Sequence, residues 1–310
     1  MIVFGGAADR PPDTRESAVA IGNFDGVHIG HQAVIGQAVR LAQERGLAAA
    51  VLTFDPHPAA ILNPGSAPRL IMTMEQRLRH LQTLGVDYVY VVAFSTEIAR
   101  LTPAQFVDEC LLRALRARVV LVGDDFRFGH RRAGSVETLR ELGLVVETIQ
   151  PVTFRQTRAS SSAIRELVAA GKVNRAARLL GRAFSLTGPV VKGEGIGSKQ
   201  TVPTLNLAAE NALLPADGVY VTRTSNRWKS ITNIGHRPTF GGTERTVETF
   251  LLDPFSEPTP ERIEIAFLRY IRGERKFDTP EDLRAQILRD VKTANRLHRH
   301  LDALISRQSG

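Results

Sequence analysis

The chain of 310 residues is 43% hydrophobic and 23% charged, too apolar for global disorder and long enough for two domains at about 150 residues each. Its formal net charge of +8 favours anionic partners and does not choose between polyphosphate and nucleic acid. The single cysteine, Cys110, excludes a disulfide framework. The opening residues lack the basic lead and apolar core of a signal peptide, and no apolar run is long enough to span a membrane. A reducing, cytoplasmic setting is the expectation.

The first strand is expected at 17–21, a short run of small apolar residues ended by Gly22. Behind it Val34, Ile35, Ala38, Val39, Leu41 and Ala42 recur at helical spacing as far as Arg45. Strands follow at 47–54, 86–94, 119–122 and 144–149. Helices between them are signalled by Thr73 with Gln76, by Thr102, Pro103 and Gln105, and by Ser135. Arg77, Arg79, Arg113 and Arg116 read as solvated helix faces, Cys110 as core, and 55–68 as a long loop. Five strands with intervening helices imply a doubly wound parallel sheet, with ligands beyond the carboxyl ends of its strands. A short helix at 174–180 stops at Gly181. Strands at 183–191, 218–223, 228–234, 247–252 and 263–271 then follow without helices, which reads as an antiparallel barrel closed by a helix from Thr279. The expected domains are an α/β unit, 1–182, and a barrel, 183–310.

The turn at Gly22, Asn23, Phe24, Asp25 and Gly26, leading through His28 and Gly30 to His31, joins a strand to a helix. Such a turn gathers free N–H groups and the positive end of a helix dipole, so a phosphate is the expected occupant. His28 and His31, three apart, can point the same way and stabilise charge in nucleotidyl transfer. A zinc pair, or two ordinary helix-start histidines, is the alternative, and zinc needs further ligands. In the stretch from Gly123 to Gly129, Asp125, Phe126 and Phe128 read either as a wall for a planar ring or as a loop anchored by its aromatics. Hydroxyls at a helix start followed by an arginine, Ser161, Ser162 and Arg165, read as phosphate contacts; the alternative is that Ser160 is a plain N-cap. In the second half, Gly193, Gly195 and Gly197 can cradle phosphates. Thr204 and Asn206, two apart on an extended segment, offer hard oxygens for Mg²⁺. Glu248, on a face with Phe250 and Leu252, is either an exposed strand carboxylate or a general base.

His28-Ile29-Gly30-His31 resembles the His-x-Gly-His signature of the nucleotidyltransferase superfamily, and specifically its FAD synthetase branch. Thr53-Phe54-Asp55-Pro56-His57-Pro58, Gly123-Asp124-Asp125-Phe126-Arg127-Phe128-Gly129 and Ser160-Ser161-Ser162-Ala163-Ile164-Arg165 match further stretches of that family. Gly218-Val219-Tyr220, the run from Asn233 to Gly241, and Glu248 resemble riboflavin kinase, which accompanies FAD synthetase in the bifunctional bacterial enzymes. The resemblance covers nearly the whole chain. It implies riboflavin, FMN, ATP, FAD and pyrophosphate as ligands, Mg²⁺ as cofactor, and neither nucleic acid nor membrane as partner; oligomerisation is left open. It also implies residue roles. His28 and His31 act on the α-phosphate, and Gly22, Phe24, Asp25, Gly26, Ser161, Ser162, Arg165, Gly193, Gly195 and Gly197 hold phosphates. Asp55, His57, Asp125, Phe126 and Phe128 meet flavin, Thr204 and Asn206 hold the metal, and Glu248 is the base. Two departures stand out: the family's usual arginine and Gly-Phe are missing from Ser198-Lys199-Gln200-Thr201-Val202, and His236 replaces a smaller residue. Two rival readings follow, a synthetase whose barrel only binds flavin and a basic flavin- or RNA-binding regulator.

Overall fold

The computed structural model describes residues 1–5, 9–11, 14–191, 204–239, 242–253, 258–275 and 277–308; Gly193, Gly195, Gly197 and the altered 198–202 stretch lie outside the described residues. By packing, the chain divides into one unit of residues 1–70 with 74–161 and another of residues 71–73 with 162–310.

In the first unit β1 (Ile2–Phe4), β2 (Ser17–Ile21), β3 (Ala48–Asp55), β4 (Tyr88–Ala93), β5 (Ala117–Gly123) and β6 (Val145–Ile149) form one parallel sheet in the order β1-β4-β3-β2-β5-β6. β2 is buried at every position, as a central strand covered on both faces must be. The chain steps outward from β2 to β3 and β4, then crosses back to lay β5 on the other side of β2. The switch point therefore lies between β2 and β5, where open parallel sheets bind ligands. The helices are α1 (Ile29–Arg45), α2 (Pro58–Leu62), α3 (Met74–Thr83), α4 (Thr96–Arg100), α5 (Pro103–Phe106) and α6 (Val136–Glu141), α5 running on as a π-helix over Val107–Arg113. The Thr102–Gln105 and Ser135–Thr138 capping boxes are both formed.

Three expectations change here. The sheet has six strands, not five: β1 is too short to show a period, and it is held by Phe4 stacking on Tyr90 at 5.3 Å. The loop at 55–68 contains α2. Arg77 is no solvated residue: it is 2% exposed, on the inner side of α3, while Arg79, Arg113 and Arg116 are exposed. Cys110 is core, and burial pushes its thiol up to about 12.

After a small hairpin, β7 (Thr153–Phe154) with β8 (Thr157–Arg158), come α7 (Ser161–Ala169) and α8 (Val173–Leu180). In the second unit β9 (Phe184–Val191), β10 (Thr204–Leu207), β11 (Gly218–Thr224), β12 (Trp228–Thr239), β13 (Gly242–Leu251) and β14 (Arg262–Arg272) close an antiparallel barrel in the order β10-β13-β12-β11-β14-β9. Its interior holds Phe184, Tyr220 and Phe267 beside hydroxyls that satisfy one another: Thr222 meets Ser230 and Thr232 at 2.8 Å, and Thr232 donates to Thr249 at 2.9 Å. The long α9 (Pro280–Gln308) lays Ala294 on Val219, Val221 and Ile231 of the outer face. Gly218 starts β11 at φ 143°, where a Cβ would stand 2.4 Å from Arg272 O, so only glycine fits.

α8 buries Val173, Ala176, Leu179 and Leu180 and lies against β9 and β14. A fragment spanning 162–310 is therefore expected to melt cooperatively, although it lacks the buried Ile71 and Met72 and with them the Asn211 Nδ2 bond to Ile71 O, the bond alone being worth about 1 kcal/mol. A fragment spanning 183–310 also loses α8, at roughly 1.5–3 kcal/mol per large apolar side chain, and should melt at least about 5 °C lower by circular dichroism. Equal melting temperatures would show that α8 adds nothing to the barrel.

Candidate active sites

β2 ends at Ile21, and Gly22 N–H still donates to Leu52 O at 3.1 Å. The backbone then turns sharply, with φ of 48° at Phe24, 91° at Gly26 and 37° at Val27. Such values cost a residue with a side chain of order 1–3 kcal/mol. Val27 N–H bonding to Phe24 O at 3.1 Å and Gln32 Nε2 donating to Val27 O at 2.8 Å hold the turn closed. Gly30 has no Cβ because the His28 ring stands 3.1 Å from where it would be. His28 caps α1, its Nδ1 accepting from His31 N–H at 3.2 Å. An accepting Nδ1 puts the proton of the neutral ring on Nε2, so His28 meets an anion as a donor. The two imidazoles stack with centroids 3.6 Å apart, and His31 rests edge-on to the Phe24 ring at 5.2 Å. The N-terminus of α1, where the first-turn N–H groups of Ile29 and Gly30 have no partner within the helix, thus carries both rings.

One strand over, β3 ends at the exposed Asp55. His57 caps α2 by accepting from Ala59 N–H at 3.1 Å, and its Nε2 lies 3.2 Å from the Asn23 side-chain amide. With the proton on Nε2, the Asn23 amide oxygen is the group that belongs at this contact. Ser161 Oγ donates to Asp25 O at 2.8 Å. Thus Gly22, Phe24, Asp25, Gly26, His28, His31, His57 and Ser161 are gathered at one end of β2 and β3. Ser162 is exposed and Arg165 half-buried on α7, and both group with the second unit.

Across the switch point, Phe126 N–H closes a turn on Gly123 O at 3.2 Å. Phe126 and Phe128 stack at 5.6 Å, and Phe128 packs on Phe106 at 5.4 Å inside the core. The two readings of this loop divide between its rings: Phe128 is the anchor, and Phe126 is the half-buried ring at the edge. Asp125 is exposed and pairs with Arg158 at 3.2 Å.

In the barrel, Glu248 of β13 lies opposite Asn206 of β10 and Asn233 of β12. Directly opposed residues share a face with Cβ atoms about 4.5–5.5 Å apart, so a carboxylate stands in a row between two amides. Glu248 makes no side-chain hydrogen bond or ion pair among the described residues. Thr204 shares the face of Asn206, and its buried Oγ1 has no hydrogen-bond partner among the described residues. Gly235 lets Glu274 reach this row, for a Cβ there would stand 2.6 Å from Glu274 Oε1 and 3.0 Å from Asn233 Nδ2. His236 pairs through Nδ1 with Asp217 at 3.2 Å. The sequence signals for Asn233 and Arg77 were weaker: Asn233 lay in a family stretch without an assigned role, and Arg77 had only the unusual position of a cation on the apolar side of its helix.

The FAD synthetase family profile matches residues 10–163, and the riboflavin kinase profile residues 180–298. The bifunctional riboflavin kinase/FMN adenylyltransferase of Escherichia coli (strain K12) is 34% identical over 284 residues, 89% of this chain and 91% of its own. That of Bacillus subtilis (strain 168) is 33% identical over 299 residues, 92% of this chain and 94% of its own. A crystal structure described as a macrolide-efflux protein from Streptococcus pneumoniae superposes with a TM-score of 0.86 at 29% identity, over 95% of this chain and 98% of its own. No helix among the described residues is long and apolar enough to cross a membrane. With one profile on each half, in order, and relatives matched along nearly their whole length, the chain belongs to the bifunctional riboflavin kinase/FMN adenylyltransferase family.

Proposed function

We propose that the chain converts riboflavin to FAD in two ATP-dependent steps, one on each half. The observation that carries this reading is that a stacked histidine pair at a switch-point turn and a carboxylate set between two amides, with no other side-chain partner among the described residues, occur in the same chain. In the barrel, Glu248 accepts the proton of the terminal ribityl hydroxyl as its oxygen attacks the γ-phosphorus of ATP. The bond to the β–γ bridging oxygen breaks, and ADP leaves with FMN formed. Mg²⁺, when bound, neutralises phosphate charge. Thr204 and Asn206 fit it, because the buried Oγ1 of Thr204 has no other partner among the described residues and both supply hard oxygens. Gly193, Gly195 and Gly197 complete the phosphate cradle in this reading.

In the first half an FMN phosphate oxygen attacks the α-phosphorus of a second ATP, and pyrophosphate leaves with no covalent enzyme intermediate. His28 donates from Nε2 to the charge that builds on the α-phosphate, beside His31 and the backbone N–H of Phe24, with Gly22, Asp25 and Gly26 shaping the turn that receives the phosphate. Ser161, Ser162 and Arg165 hold phosphates. Phe126 offers its ring to the isoalloxazine, with Phe128 behind it and Asp55, His57 and Asp125 at the polar edge. The activities divide between residues 1–182 and 183–310, although α8 packs with the barrel.

The test incubates the purified protein with riboflavin, ATP and Mg²⁺ and follows FMN and FAD separately by chromatography. FMN is expected first and FAD after it. FAD made only from supplied FMN would leave a barrel that merely binds flavin. Neither product, with salt-sensitive RNA binding, would leave a regulator.

A further inference from the structure

Arg77 is a cation with 2% of its surface exposed and no ion pair of its own among the described residues. Its Nη1 donates to Thr53 Oγ1 and to Phe54 O, each at 3.3 Å, and its Nε has no hydrogen-bond partner among the described residues. Burying a guanidinium costs more than packing a methionine in the same space, so the fold alone does not call for arginine here. The carboxylates whose fields reach it, Asp25 and Asp55, belong to the two motifs at the switch-point turn. They oppose the burial that pulls its pKa down.

Thr53, fully buried at the end of β3, passes its own proton to Asn23 O at 3.1 Å. A hydroxyl accepts from one partner and donates to another, so Arg77, Thr53 and the Asn23 carbonyl form one relay. A trans peptide points its N–H opposite to its C=O. Pinning Asn23 O against β3 therefore turns the Phe24 N–H away from β3. That N–H makes no hydrogen bond among the described residues, although Phe24 is 1% exposed. It sits in a strained backbone, φ 48°, that needs outside support.

We propose that Arg77 is a positioning residue for adenylyl transfer: through Thr53 it holds the Asn23–Phe24 peptide so that the Phe24 N–H is presented to the phosphate bound at this turn. The proposal rests on the adenylyl-transfer reading of the first half. It gives α3, which carries none of the family motifs, a part in that reaction. The same guanidinium also fixes Phe54 O, so the strand end leading into Asp55 is set by the same group.

The experiment compares full-length wild type with Arg77→Met, Arg77→Lys, Thr53→Val and the Thr53→Val/Arg77→Met double variant. FAD formation from FMN and ATP is measured beside FMN formation from riboflavin, the second serving as a control on the same molecules. Thr53→Val and Arg77→Met should each lower kcat for FAD formation about tenfold or more, with KM for ATP and FMN changed by less than about twofold. Arg77→Lys should fall between, since an ammonium keeps the charge without the fork. The double variant should be no worse than the worse single one, as members of one relay are not additive. Kinase turnover should stay within about twofold of wild type throughout. If Arg77→Met does not fold, Thr53→Val, which removes one hydroxyl at nearly constant shape, decides. FAD turnover unchanged in Thr53→Val, or effects that multiply in the double variant, would overturn the relay. Wild type that makes no FAD from FMN overturns the underlying reading, and this proposal with it.

Discussion

Glu248→Gln lowers kcat for riboflavin phosphorylation by roughly 10²–10⁴-fold, the span of a general base's contribution, and leaves FAD formation from supplied FMN at the wild-type rate. Glutamine keeps the size and the place in the row between Asn206 and Asn233 but cannot take the hydroxyl proton. Riboflavin binding, followed by flavin fluorescence, should therefore change far less than turnover. The carboxylate has no competing partner among the described residues, so the substitution strands no buried cation there and exposes no folding role. Full turnover in the variant would make Glu248 an ordinary strand carboxylate and move the base elsewhere.

His28→Ala lowers kcat for FAD formation by at least about 10²-fold, the usual cost of one transition-state donor, while FMN formation stays near wild type. The alanine variant also loses a helix cap, because His28 Nδ1 accepts from His31 N–H; that costs about 1 kcal/mol of stability. His28→Asn separates the two effects. Asparagine is among the best capping residues, so the helix start should be kept, yet no ring N–H remains for the α-phosphate. The asparagine variant should melt close to wild type and be as inactive in FAD formation as the alanine one. If His28→Asn recovers FAD formation along with stability, the imidazole ring itself is not required at the α-phosphate. If both activities fall together in either variant, the chain has misfolded and the assignment fails.

Strands β2 to β6, helix α1, the Thr102–Gln105 capping box, the Ser135 cap, the barrel and its closing helix were legible in the chain, because each is written in spacing over near neighbours. The turn at Gly22 was legible for the same reason: glycine, histidine and a preceding apolar strand lie within fifteen residues. The resemblance then supplied flavin as substrate, which no spacing of residues encodes. What tertiary structure decided were matters of which distant residue comes to lie opposite. β1 is a strand because Tyr90 stacks on Phe4 from a remote part of the chain, and three residues have no period of their own to announce it. Phe128 is an anchor and Phe126 an edge ring because Phe106 fills the space behind only one of them. Glu248 stands between two amides because of strand register, and a shift of one residue would send it to the other face. Arg77 is buried because Thr53 and Phe54, 24 and 23 residues back, supply its acceptors. Local patterning fixes which elements form and which face each buries; the partner of a buried polar group is set by long-range packing, which a linear pattern does not carry.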